Sequence, residues 1–208
     1  MGMDPFTLID KYYAKGSPLY DILVTHSRRV AEKAQEIANS HPELEADENF
    51  LYEAAMLHDI GIYLTHAPDI QCFGTRPYIC HGTLGSELLK NEGLLRHALV
   101  CERHTGAGLS LDDIIRENLP IPHRDMLPVS IEEQIICYAD KFYTKSEPDC
   151  EKTPEEIRKS LSKYGEASVK RFEQWDFSVS SKNYYHICPT PLCRADCLSL
   201  WADCSHKK

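Results

Sequence analysis

Six side chains of metal-binding type fall at helix ends or on apolar stripes: His26, the adjacent pair His58-Asp59, His81, His104 and Asp140. An imidazole offers a neutral nitrogen and a carboxylate a charged oxygen, a mixture that suits Zn, Mn, Fe and similar divalent ions. Neighbouring residues on a helix point about 100° apart, so His58 and Asp59 would rarely share one core contact. At a last turn before Gly61, however, both can converge on one ion, and the two oxygens of Asp59 can bridge two. Each residue alone also has an ordinary explanation. His26 reads as a hydrogen-bonded core residue, His81 and His104 as helix caps, and Asp140 as a paired carboxylate. A buried Asp without a cation is costly, and the six explain one another if they share a metal pocket.

The elements that must position them read as helices. Ser17-Pro18 is an N-cap followed by Pro at the first helical position, and Leu19, Ile22, Leu23, Val30, Ala34 and Ile37 follow at helical spacing up to His41-Pro42. His26 falls on that stripe. A second helix starts near Asp47, with Phe50, Leu51, Ala54, Ala55 and His58 on one side and Gly61 as the residue just past its end. Residues 62–80 read as a loop. Helical spacing returns from His81 through Leu84 and Leu88, and again at Leu95, Ala98 and Leu99, until Gly106-Ala107-Gly108 stops it. Residues 109–128 hold a short helix and the rigid connector Leu119-Pro120-Ile121-Pro122. Ser130 with Glu133 resembles a capping box. It opens a helix whose inner side carries Ile131, Ile135, Ile136, Ala139 and Asp140. Thr153-Pro154-Glu155-Glu156 starts a last helix leading to Ile157, Leu161 and Phe172. No segment alternates as a strand would. The pattern predicts an all-α domain over residues 1–177 and a Cys-rich tail over 178–208.

In this order the residues resemble the H…HD…D signature of the HD-domain superfamily, and His58-Asp59-Ile60-Gly61 matches its HDIG variant letter for letter. His81-Gly82-Thr83-Leu84-Gly85 and Arg103-His104-Thr105-Gly106 resemble the extra His positions of its dinuclear members. The likeness spans roughly Leu19 to Lys145. It implies a helical bundle with a core of about five helices around one or two divalent ions (Fe, Mn, Co, Zn or Mg), and a metal-dependent phosphohydrolase activity. Carried over by position, His26, His58, Asp59 and Asp140 would hold one metal. Asp59 would bridge to a second, held by His81 and His104, and would serve as the catalytic residue that orients the attacking water. Ile62 follows the HDIG, and Thr-Gly-Ala-Gly follows His104, so cyclic-dinucleotide phosphodiesterases of the HD-GYP type are a poor match. The His-Thr-x-Gly run and Ala139-Asp140 look similar to small stand-alone HDIG hydrolases, among them bacterial enzymes that split symmetrical dinucleoside tetraphosphates. Some HD-fold proteins use the same ligands as di-iron oxygenases, and a non-catalytic metal-bound sensor is a third reading.

Metal-activated water supplies a nucleophile near neutral pH, so no Ser or Cys nucleophile is required, and no G-x-S-x-G elbow is present. Arg29, Arg124, Lys141 and Lys145 are the candidate substrate contacts, with solvated surface charge as the plain alternative for each; His66 stays undecided. His41, His97, His123, His186 and His206 read as surface or outer residues. The 208 residues carry 23 basic and 32 acidic side chains, a net charge of −9. That excludes a broad nucleic-acid or anionic-membrane footprint and leaves a small phosphorylated substrate. No apolar run approaches the roughly 20 residues of a membrane helix, and residues 1–10 show no secretory pattern. The chain is therefore expected to be cytoplasmic, and its nine Cys to be reduced thiols. In the tail, Cys188, Cys193, Cys197 and Cys204 follow no zinc spacing we can defend, and reduced packing is the favoured reading.

Overall fold

The computed structural model describes residues 2–180; the Cys tail and the histidines 186 and 206 lie outside them. Its α-helices are α1 (Phe6–Tyr12), α2 (Pro18–Ser40), α3 (Glu48–Leu57), α4 (His81–Asn91), α5 (Leu95–Arg103), α6 (Leu111–Arg116), α7 (Ile131–Asp140), α8 (Pro154–Leu161) and α9 (Glu166–Ser180).

Helix starts are written in the sequence. The Ser17 hydroxyl accepts from the Tyr20 amide with Pro18 inside the first turn, and the Asp47 carboxylate accepts from the Phe50 amide. Each cap satisfies an amide that has no partner within the helix. Thr153 and Glu156 form a complete capping box. Ser130 and Glu133 form only half of one: Ser130 accepts from the Glu133 amide, but the Glu133 carboxylate turns to the Val129 amide and to Arg103.

Helix α2 lies along α3 and α7, and α4 along α5. Ala31, Ala34 and Ala38 of α2 and Ala54 and Ala55 of α3 are all buried; such small residues let helix axes come close. Leu23, Val30, Leu51, Met56, Ile60, Ile136 and Phe172 fill the main core. A smaller cluster of Cys80, Leu109, Ile114, Ile121 and Met126 sits under the segment that holds α6.

Three expectations need correction. Residues 62–80 are not all loop: β1 (Thr65–Ala67) pairs antiparallel with β2 (Cys72–Phe73) and parallel with β3 (Arg76–Pro77). Strands of two and three residues are too short to show a period. The helical spacing from His81 to His104 belongs to two helices, divided at Gly93, whose φ of +79° ends α4. The last predicted helix is likewise divided, at Gly165 with φ +97°, into α8 and α9. Helix α9 continues to Ser180.

Gly61 is not a left-handed helix end either. Its φ is −87°, and its role is close approach. A Cβ at Gly61 would lie 2.4 Å from both the Gly85 amide nitrogen and the His81 carbonyl oxygen, and a Cβ at Gly82 would lie 2.6 Å from the Cys101 carbonyl oxygen. Three backbone segments are thus stacked without side chains between them, which sets Asp59 beside His81 and His104.

Candidate metal centre and its cavity

Five helices deliver the six residues. His26 projects from the middle of α2, His58 and Asp59 follow the last residue of α3, His81 opens α4, His104 follows α5, and Asp140 closes α7. All six are buried.

They form two groups that share Asp59, one of His26, His58, Asp59 and Asp140, the other of Asp59, His81 and His104, with the ligand atoms of each group within 4.8 Å of one another. Asp59 Oδ2 is 3.3 Å from His26 Nε2 and 3.0 Å from His58 Nε2, while Oδ1 is 3.5 Å from His81 Nε2 and 3.4 Å from His104 Nε2. Asp140 Oδ1 is 3.0 Å from His26 Nε2 and 3.5 Å from His58 Nε2. Each oxygen of Asp59 therefore serves a different group.

The donor set fits divalent metal. His58 Nδ1–H donates to the Ala55 carbonyl at 2.6 Å, His81 Nδ1–H to Tyr78 at 2.7 Å and His104 Nδ1–H to Cys101 at 2.8 Å. Each imidazole is anchored to the carbonyl three residues back, which leaves the Nε2 lone pair facing the group. Such an anchor orients a metal-binding imidazole and fixes its tautomer. His58 Nε2 and both oxygens of Asp59 are buried and make no well-aligned hydrogen bond. Orphaned buried polar atoms of this kind call for an ion or water.

Charge is held by proximity. Burial opposes ionisation of Asp59, but His58 and Lys145 outweigh it and hold the carboxylate well below its usual range. Burial likewise opposes Asp140, and Lys141 with His26 outweighs it. Lys145 Nζ is 2.6 Å from Asp59 Oδ2. Lys141 Nζ is 2.7 Å from Asp140 Oδ2 and donates to the His104 carbonyl at 3.1 Å. Burial alone would lower both ammonium groups, but the facing carboxylates raise them.

The two groups differ in their protons. Burial lowers His58, yet Asp59 and Asp140 overcome it and raise the imidazole to about 9. Burial, aided by His104, drops His81 to about 3, and burial also lowers His104. A histidine must be neutral to bind metal. Mn²⁺ affinity at the His58 group should therefore rise about tenfold per pH unit from pH 6.5 to 8.5, with about one proton released per ion. Affinity at the His81 and His104 group should stay flat over that range. Calorimetry in buffers of different ionisation enthalpy reads both; equal pH slopes at the two groups would contradict the assignment.

Asp140 joins the centre to a cavity of about 400 Å³, a size usual for small-molecule sites. Asp140, Lys141, Lys145 and Tyr78 line its inner end, and Tyr78 also stacks on the His81 ring, centroids 4.7 Å apart. Lys152, Ser160, Lys163 and Tyr164 line the outer wall. Of the four cationic residues singled out from the sequence, Lys141 and Lys145 line the cavity. The other two do not: Arg29 pairs with Asp149 at 2.7 Å and with Glu32, and Arg124 with Glu102. Their spacing from His26 or from the Pro-rich connector said nothing about these acidic partners. His66 is exposed on β1 and does not line the cavity. His97 is a core residue, 3.2 Å from Glu53 and edge-on to Phe50, rather than a surface one. Tyr78, Lys152, Lys163 and Tyr164 were missed. They belong to no motif, although the capping box at Thr153 does mark where the chain turns back toward the centre.

Comparison with known proteins agrees with this geometry. The HD domain matches residues 23–145, more than half of the chain. The chain belongs to the HD domain family. The match starts in α2, before His26, and ends at Lys145, so it contains all six residues of the centre. This HD domain is 34% identical over 123 residues to an uncharacterized protein of Methanocaldococcus jannaschii, covering 58% of this chain and 65% of that one. It is 32% identical over 136 residues to a tRNA (cytidine(56)-2'-O)-methyltransferase of Thermoplasma volcanium, covering 65% of this chain and 35% of that one. A Picrophilus torridus protein of the same name is 31% identical over 123 residues, 59% of this chain and 31% of that one. The chain thus spans less than two thirds of each of these relatives. No solved structure matches it significantly. Among the described residues, no helix is long and apolar enough to cross a membrane.

Proposed function

We propose that this HD domain is a metal-dependent phosphohydrolase that cleaves a phosphoester or phosphoanhydride of a nucleotide or another small phosphorylated compound. The observation that carries the reading is one carboxylate, Asp59, shared between two ligand groups, with Asp140 of the first group lining a cavity that Lys141 and Lys145 also line. His26, His58, Asp59 and Asp140 would hold one divalent ion, and Asp59, His81 and His104 a second. When bound, such ions lower the pKa of coordinated water to about 7 and neutralise phosphate oxygens.

The chain's own residues do the rest. Asp59 and Asp140 stay ionised and so can orient a water by accepting its protons. Lys141 and Lys145 place ammonium groups where the oxygens of a phosphoryl group entering the cavity would lie. The helices packed around the centre bury it, which strengthens each of these interactions. Three buried thiols are no rival nucleophiles: burial pushes Cys72 up to about 11 and Cys137 up to about 12, and Cys101 is raised as well. The methyl transfer in two relatives' names is not carried over, because the matched segment is only about a third of those proteins. The net charge of −9 also disfavours an RNA surface.

The test is a phosphate-release screen over nucleotides, dinucleoside polyphosphates and sugar phosphates, run separately with Mn²⁺, Fe²⁺, Co²⁺ and Mg²⁺. Release from at least one class is expected. Silence across all of them, together with oxygen uptake by the iron-loaded protein, would instead establish the oxygenase chemistry that the same ligands can support.

A further inference from the structure

We propose that Lys152 and Lys163 form a second anion subsite on the outer wall of the cavity, so that the preferred ligand carries a phosphoryl group beyond the one at the His/Asp centre. The inference rests on the phosphohydrolase reading for what happens at the centre, but the subsite itself is a matter of binding.

The two lysine pairs of the cavity have different partners. Lys141 and Lys145 are each within 2.7 Å of a carboxylate of the centre. Among the described residues, no carboxylate forms an ion pair with Lys152 or Lys163. Lys152 is half-buried, a costly place for a charge without a counter-ion. Burial, joined by the positive fields of Lys141 and Lys163, holds its ammonium below its ordinary value although Asp140 and Glu156 oppose them. An anion in the cavity would relieve that repulsion, and the Ser160 side chain lines the same wall.

Local structure fixes this wall. The Lys152 amide donates to the Phe142 carbonyl at 2.8 Å, which ties it to the chain just beyond Asp140. Thr153 then caps α8, which carries Ser160, and Lys163 lies in the 3-10 turn Ser162–Tyr164 that Gly165 ends. The whole wall follows Lys145, where the family match stops. The centre is therefore built from the segment that the family match covers, and the outer wall from residues beyond it. The shared chemistry of ligands that fit is two phosphoryl groups, whether in a polyphosphate chain or on a bisphosphorylated small molecule.

The experiment is calorimetric titration of the full chain, with Mn²⁺ at equal concentration in cell and syringe, by tripolyphosphate and separately by orthophosphate. The variants are Lys152→Ala, Lys163→Ala and the double change. Each single change is expected to weaken tripolyphosphate about tenfold, as for loss of one charge-assisted hydrogen bond, and to leave orthophosphate within about twofold. Equal losses for both probes, or none for either, would overturn the subsite. The phosphohydrolase reading fails separately. A protein that binds tripolyphosphate through these lysines but releases phosphate from nothing keeps the subsite and loses that reading. One that releases phosphate while tripolyphosphate ignores both lysines does the reverse.

Discussion

Replacing Asp59 with Asn is expected to cut phosphate release by about 10³-fold or more and to lower bound metal from two ions toward one. The reasoning is geometric. One oxygen of Asp59 faces His26 and His58 and the other faces His81 and His104, all at 3.0 to 3.5 Å. An Asn of the same size keeps one carbonyl oxygen, but its amide nitrogen has only donors to offer. Whichever way it turns, one ligand group loses its shared member. A loss of about 4 kcal/mol in transition-state stabilisation corresponds to roughly 10³-fold in rate. The change also leaves the Lys145 ammonium without its 2.6 Å partner. Breaking such a buried pair costs about 3 kcal/mol, so thermal unfolding should be followed alongside turnover. Metal content by plasma emission, helicity by circular dichroism and phosphate release separate the three effects. Turnover within tenfold of the parent protein would refute the shared role of Asp59.

A comparably large effect should come from a residue that offers no ligand. Gly61→Ala adds one methyl group at a point where the nearest atoms, the Gly85 amide nitrogen and the His81 carbonyl oxygen, are 2.4 Å away. Both are backbone atoms of the first turns of α4, so no side chain can swing aside. The turn after Asp59 and the start of α4 must separate. Overpacking of this kind costs about 3 kcal/mol, which for a domain of this size lowers Tm by roughly 6–12 °C. The separation also carries His81 away from Asp59 and leaves His26, His58 and Asp140 in place. The ion held by His81 and His104 should therefore be lost first, and the other should persist. Stoichiometric metal titration of Gly61→Ala with a Tm scan decides this. An unchanged Tm with both ions retained would mean that the backbone can yield here at little cost.

How much of this could be read from the chain depends on the kind of residue. The six residues of the centre were legible because each combines a metal-type side chain with a helix end or an apolar stripe, and because HDIG is a specific tetrad. Lys141 and Lys145 were legible as neighbours of Asp140. Arg29 and Arg124 were not, because their partners Asp149 and Glu102 come from distant parts of the chain, which neither the spacing along α2 nor the Pro-rich connector reveals. The reading of Gly61 as a helix end had the right residue and the wrong cause: local rules see a glycine's φ, whereas here the constraint is a neighbouring backbone. β1 to β3 were invisible because two or three residues carry no alternation. The outer wall of the cavity was invisible because Lys152, Ser160 and Lys163 are residue types that ordinarily sit in water.

The anchoring of three imidazoles to carbonyls three residues behind them has a mechanical consequence. A ligand aimed by its own final turn needs no distant scaffold to aim it, so His58 and His104 are self-aligning for as long as α3 and α5 stay wound to their ends. The same arrangement makes aim and winding inseparable. Fraying of one terminal turn would release the carbonyl hold and the direction of the imidazole together, so the centre should fail in discrete steps, helix end by helix end, rather than by gradual loosening.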